Sequence, residues 1–224
     1  MAFFTIPLNK KCCENRELLI DLFLLFSCLI LSVIFPVDNG SLIQLIIRNI
    51  FFLVVLPTLY IKIVLKKNLS DFGLNIKDKK TGMLFGAILF ISLIIFYYFL
   101  FSYTSLQKRY ALPSNTIGQF SFFVLYELLL MNILLFSQEF FYRGFMLSAL
   151  SKKFGHWSIL IQAAVFILFS SLSNGFFWQF SAPIALSVTN GFLAYKSKSF
   201  IFPYLSGLLF IIIVNSYIIY GINR

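Results

Sequence analysis

The chain has 224 residues, of which 60% are hydrophobic and 12% are charged, against ~45–50% and ~25% in an average soluble domain. These proportions leave too few polar side chains to cover a soluble globule, and they also exclude a disordered chain. The net charge of +10 comes mostly from cations in short segments between apolar runs, which is typical of membrane loops rather than of a nucleic-acid-binding face. We therefore expect a polytopic membrane protein without a nucleic-acid partner.

Apolar segments long enough to cross a bilayer recur along the whole chain. A helix needs ~20 mostly apolar residues to cross ~30 Å of hydrocarbon. The segments that meet this requirement are 18–36, 41–65, 82–102, 118–136, 157–173, 176–195 and 200–220. No Pro or turn cluster interrupts residues 120–150, so the fourth segment either continues as one long tilted helix or forms two passes. The pattern predicts an all-α transmembrane bundle of about seven spans, folded as one domain over residues 1–224.

The distribution of Lys and Arg predicts the orientation of this bundle. With the N-terminus in the cytoplasm and seven crossings, 13 of the 18 cations fall on the inside and 3 on the outside. Cytoplasmic loops carry such an excess of Lys and Arg. We therefore expect an integral protein of a bacterial cell membrane, with a cytoplasmic N-terminus and the lipid bilayer as its first partner.

Some charged residues lie near the ends of the predicted spans. Asp21 and Lys62 are close enough to a span end to reach the interface, and Arg48 can extend its long side chain outward. We expect these three side chains to have no role inside the bundle.

The fourth span carries polar residues that are harder to explain in this way. Glu139 and Arg143 are four residues apart with the acid first, so both lie on one helix face and can form an ion pair. Asn132 lies two turns earlier on nearly the same face. Glu127 lies twelve residues before Glu139, a rotation of roughly 120°, so we expect the two acids to face different ways. Ionisable groups inside a membrane are costly, and they usually face the interior of a bundle.

The segment QEFFYRGFML at 138–147 resembles the first motif of the CPBP family, which comprises CAAX proteases and bacteriocin-processing enzymes and is also called the Abi family. That motif reads E-E-x-x-x-R, usually followed by Gly. Glu139 matches its second Glu, Arg143 its Arg and Gly144 its Gly, whereas Gln138 replaces its first Glu.

The resemblance continues downstream, so that a CPBP-like core covers approximately residues 118–220. The second motif of the family is F-x-x-x-H, and alignment through Phe169 places Ser173 at the His. The third is H-x-x-x-N, and alignment on Ser199 and Pro203 places Gly207 at the His and Ile211 at the Asn. Asn215 lies one turn beyond the Asn position.

The resemblance implies a glutamate-dependent intramembrane endopeptidase whose first Glu and motif-two His activate water. Here the positions of that Glu and of both His residues hold other residues. Glu139 and Arg143 are the candidate catalytic positions that remain, but an ion-paired carboxylate is a weakened base, so we expect them to brace the fold. The sequence thus favours a pseudoenzyme acting as an immunity, regulatory or scaffold protein that binds a membrane protein or peptide.

Two other functions stay open at this point. One is an active endopeptidase with a displaced site built from Glu139, Glu127, Asn132 or Asn215. The other is a small transporter that uses intramembrane Arg48, Glu127 and Arg143, although the chain lacks the paired halves typical of transporters.

We expect no metal or other cofactor. The single His, His156, lies in a short basic loop, and zinc takes three or four protein ligands. The sequence also contains no phosphate-binding Gly loop and no dinucleotide fingerprint.

Overall fold

The computed structural model describes the backbone of residues 10–38, 41–76, 78–103, 120–174 and 181–222, and the side chains of 17–38, 41–76, 78–103, 123–172 and 185–219. Within these ranges the protein is helical and contains no strand. A long helix lies at each of the seven predicted segments. They are α1 (Lys10–Ile34), α2 (Leu42–Val64), α3 (Lys79–Tyr103), α4 (residues 120–154), α5 (Trp157–Asn174), α6 (Ser181–Ser197) and α7 (Ile201–Ile222).

Five of the described helices, α1, α2, α3, α4 and α7, are long and apolar enough to cross a membrane, and α5 contains a shorter apolar helix over Trp157–Leu172. Large apolar side chains such as Phe23, Ile43 and Met83 are exposed on their outer surfaces. A soluble monomer rarely exposes so much continuous apolar surface. The protein is therefore a helical bundle suited to a bilayer, as its composition predicts.

The fourth predicted segment is one helix. Residues 120–154 form an unbroken helical run whose α-helical parts alternate with π-helical turns at Tyr126–Met131 and Phe140–Met146. At ~1.5 Å per residue its 35 residues extend about 52 Å, which exceeds the ~30 Å hydrocarbon core. The helix must therefore tilt or project from the membrane, and it does not divide into two passes.

Helix α4 lies at the centre of the bundle. It packs against α1, α2, α5, α6 and α7, while α3 packs against α6 and α7 and α5 packs against α6. The larger core cluster joins α1 and α2 to the aromatic residues Phe140, Phe141 and Phe145 of α4. A second cluster joins α3 to α6 and α7 around Tyr97 and Phe210. The aromatic motif residues of α4 therefore lie within the larger cluster.

The connection between α2 and α3 packs against the end of α4 that carries the motif. It contains a short 3-10 turn, Leu69–Phe72, closed by Gly73 at φ +88°. The backbone N–H of Phe200 donates to the Gly73 carbonyl at 3.1 Å. A Cβ at Gly144 would lie 2.9 Å from the Phe72 carbonyl oxygen, so the glycine that follows Arg143 permits this close approach.

Candidate functional site

The predicted ion pair of α4 is present and buried. The Glu139 Oε2 atom lies 3.4 Å from the Arg143 Nε atom, and each side chain is 2% exposed. The two atoms are not aligned as a hydrogen bond, so the contact is electrostatic. The Arg143 guanidinium carbon also lies 5.0 Å from the ring centre of Phe166 on α5, within the range of a cation–π interaction. Sequence spacing predicted this pair because it is local to one helix.

Asn190 of α6 is a third member of this cluster that the sequence analysis missed. Its Nδ2 atom donates to Glu139 Oε1 at 2.9 Å and contacts the Pro203 carbonyl of α7 at 3.3 Å. A Cβ at Gly207 would lie 3.2 Å from the same nitrogen. The glycine at the position of the motif-three His thus leaves room for the Asn190 amide. A polar residue inside an apolar helix was the available signal, but Asn190 falls on no position of the family motifs and was not singled out.

Glu127 forms a separate buried pair. Asn215 Nδ2 of α7 donates to Glu127 Oε1 at 2.6 Å, and Glu127 is 1% exposed. Glu127 thus contacts α7, whereas Glu139 contacts Asn190 of α6.

A π-helical turn, Tyr126–Met131, lies on the stretch of α4 that joins the two acids. A π turn holds one residue more than an α turn. The angle between the two acids around α4 is therefore smaller than the roughly 120° of a regular α-helix. The acids nevertheless remain about 18 Å apart along the helix, so they do not form one acid pair.

The residues proposed for a displaced catalytic site do not meet. Asn132 accepts a hydrogen bond from the Tyr204 hydroxyl of α7, Glu127 is held by Asn215, and Glu139 is held by Asn190 and Arg143. These three sets of contacts are separate from one another. Neither Glu127 nor Glu139 lines any of the described cavities.

Gln138 instead faces a cleft between α1, α2, α4 and α5. The cleft has about 90 Å³ of space for the centres of water-sized molecules, which is room for several waters. Its polar lining residues are Ser32, Arg48, Asn49, Gln138, Tyr142 and Ser170. Among the described lining residues there is no carboxylate and no histidine. The residue at the position of the family's first Glu therefore points into a polar cleft, as a neutral amide.

The cleft also indicates a different register for the second motif. Phe166, Phe169 and Ser170 all line it, and Phe166 and Ser170 have the spacing of F and H in F-x-x-x-H. Ser173, which the sequence alignment placed at the His, has a side chain outside the described residues. A shift of three residues leaves apolar periodicity almost unchanged, so hydropathy could not choose between the two registers.

Two charged residues expected at the membrane interface lie in the interior. Asp21 is 2% exposed and accepts a hydrogen bond from the Tyr60 hydroxyl at 2.8 Å. Arg48 is 8% exposed and lines the cleft. Lys62 is exposed, as expected. The first two expectations are wrong because a position near a span end does not determine which side of the helix faces its neighbours.

A wider pocket lies where the α2–α3 and α6–α7 connections meet α4. It has about 410 Å³ of space for water-sized molecules. Its charged lining residues are Asp71, Arg143, Lys152 and Lys198. These connections therefore lie at one end of the bundle, as seven crossings require, and the cytoplasmic location of that end stays a prediction.

Fold and site together define a polytopic helical membrane protein with a buried Glu–Arg pair beside a polar intramembrane cleft. Residues 118–213, from the start of α4 into α7, match the family described as type II CAAX prenyl endopeptidase Rce1-like. Over these residues the chain is similar to that family, and the resemblance to CAAX proteases of the CPBP family is confirmed. No curated protein and no solved structure matches the chain.

Proposed function

We propose that this protein is a non-proteolytic relative of the CAAX endopeptidases that binds a membrane protein or peptide as an immunity, regulatory or scaffold protein. The observation that carries the proposal is that two adjacent residues of α4 have different surroundings. The neutral Gln138 faces the polar cleft, whereas the neighbouring carboxylate of Glu139 is buried among Arg143 and Asn190.

Peptide hydrolysis without a covalent intermediate needs a base beside the attacking water. A carboxamide has no proton-accepting state near neutral pH, and the hydroxyls of Ser32 and Ser170 are poor bases without a partner. The single histidine, His156, packs its ring 5.0 Å from that of Tyr195, in the turn before α5. Among the described residues that line the cleft, none is therefore a carboxylate or histidine that could serve as the general base.

The same cleft is suited to binding. It offers carboxamide and hydroxyl groups that both donate and accept hydrogen bonds, inside a bundle that exposes apolar surface to lipid. A polypeptide segment within the membrane needs such partners for its unpaired backbone groups. Immunity, regulation and scaffolding are roles that such binding would serve, and they rest on the family relationship.

The test is a cleavage assay in lipid beside an active relative. Wild-type protein and Glu139→Gln are incubated with prenylated CAAX peptides and bacteriocin-leader peptides, and products are followed by mass spectrometry. We expect no product from either form. Thermal unfolding confirms that the variant is folded. Cleavage by wild type that disappears in folded Glu139→Gln would refute the proposal and make Glu139 the catalytic base of an active endopeptidase.

Gln138→Glu is the matched variant, because it restores the first acid of the family motif within the cleft. We expect it to remain inactive, since Ser170 cannot assist as a histidine would. Activity gained in this variant would identify the replacement of that Glu by Gln138 as the decisive change, and activity already present in wild type would exclude it.

A further inference from the structure

Arg48 is a buried cation that lacks a counter-ion. It lies six residues after Leu42, where α2 begins, and thus about 9 Å along the helix from the start of the span. It is 8% exposed, and its Nε atom has no hydrogen-bond partner. Within the described part of the chain, no hydrogen bond or ion pair joins its guanidinium to another residue.

The acids of the bundle are already engaged elsewhere. Asp21 accepts from Tyr60, Glu127 accepts from Asn215, and Glu139 is paired with Arg143. The polar groups that line the cleft with Arg48 are neutral amides and hydroxyls. An uncompensated charge in a membrane interior is costly, and such residues usually mark a functional contact. The missing anion must therefore come from outside the described residues.

We propose that the cleft binds a carboxylate of a polypeptide, either its C-terminus or an acidic side chain within a membrane segment, and that Arg48 is the counter-ion. This inference rests on the proposed binding function and adds the chemical class of the ligand. The guanidinium presents two parallel N–H donors that match the two oxygens of a carboxylate. The amides of Asn49 and Gln138 are available to the adjoining peptide backbone.

The position of the site favours a polypeptide over a lipid headgroup. Phosphate groups of lipids lie at the membrane surface, whereas Arg48 lies more than a helical turn inside the span. The cleft also combines hydrogen-bond donors and acceptors, as an amide-bearing chain requires and a phosphate does not.

The experiment measures photocrosslinking of the intact protein in phosphatidylcholine nanodiscs. The probe is an apolar heptapeptide with one photoreactive residue, prepared with a free C-terminal carboxylate and with a C-terminal amide. Arg48→Gln removes the charge, Arg48→Lys keeps the charge without the planar fork, and Lys62→Gln removes an exposed cation of the same helix as a control.

We expect the carboxylate peptide to bind wild type at least about tenfold more tightly than the amide, as for a buried charge-assisted pair. Arg48→Gln should reduce the affinity for the carboxylate peptide to that for the amide. Arg48→Lys should retain part of the preference, and Lys62→Gln all of it. Because Arg48→Lys keeps the charge, it also serves if Arg48→Gln does not fold.

The inference would be overturned by equal binding of the two peptides to wild type or by the absence of crosslinking with either peptide. A preference for the carboxylate peptide that survives in Arg48→Gln would also overturn it. Nanodiscs with added phosphatidic acid provide the lipid arm. Competition by that lipid, dependent on Arg48 and without any carboxylate preference, would identify a lipid site instead.

The same samples are examined for cleavage products. Cleavage would contradict the proposed function, whereas loss of the carboxylate preference without cleavage would contradict only this inference.

Discussion

The buried pair of Glu139 and Arg143 gives the sharpest test of the packing around α4. Two variants each remove one charge, Glu139→Gln and Arg143→Met, and a third combines them. Both side chains are 2% exposed, and their charged atoms lie 3.4 Å apart. Removal of one partner from such a pair leaves an uncompensated charge, which costs ~3–5 kcal/mol of unfolding free energy.

The contacts of the cluster predict an order among the single variants. Arg143→Met leaves the buried Glu139 carboxylate without a positive partner and with only the neutral amide of Asn190 as its described hydrogen-bond donor. We therefore expect a loss of unfolding free energy near the upper end of that range. Glu139→Gln keeps an oxygen that can accept from Asn190, so its cost arises mainly from the unpaired guanidinium beside Phe166. The double variant removes both charges and should recover about 2 kcal/mol or more relative to the sum.

The measurement is reversible unfolding of the four proteins in mixed detergent micelles, analysed as a double-mutant cycle. The exposed pair of Glu17 and Lys67 is a matched control. Its Oε2 and Nζ atoms lie 3.3 Å apart, but the side chains are 55% and 35% exposed, so its coupling should stay within ~0–1 kcal/mol. Additive effects at Glu139 and Arg143, within ~0.5 kcal/mol, would show that the two charges do not interact, and the reasoning would fail.

Three further predictions address other parts of the fold. Gly144→Ala should lower the unfolding free energy by ~1–3 kcal/mol, because overpacking forces the neighbouring backbone to move. Gly86→Ala is the control and should be neutral, because its Cβ would make only an ordinary 3.7 Å contact. Equal effects of the two substitutions in thermal unfolding would contradict this prediction. Arg48→Met should leave the unfolding free energy unchanged or raise it, since the guanidinium has no described partner to lose. A loss of more than ~2 kcal/mol of unfolding free energy in the same measurement would reveal a partner. Single cysteines at Lys67 and Lys152 should both react with a membrane-impermeant thiol reagent from the cytoplasmic side, and reaction from opposite sides would refute the seven-span topology.

The sequence by itself determined the class of protein and the local features of its helices. Apolar length alone located the helices, because a backbone in hydrocarbon must satisfy its own hydrogen bonds. The contact of Glu139 with Arg143 was equally predictable, because four residues along one helix bring two side chains together without help from any other element. The resemblance to the CPBP family, which the match over residues 118–213 confirms, was recognisable from the same short segment.

Only the tertiary structure decided which groups the charged residues meet. Asn190 and Asn215 hold the two buried acids from other helices, and Arg48 lines a cleft instead of reaching the interface. In a membrane the lipid-facing and core-facing sides of a helix are both apolar, so hydropathy does not reveal which side a polar residue occupies. The π turn on the stretch that joins Glu127 and Glu139 changes the angle between them in a way that residue spacing does not reveal. The partner of each polar group therefore depends on helix packing and local winding, and these emerge only when the helices are assembled.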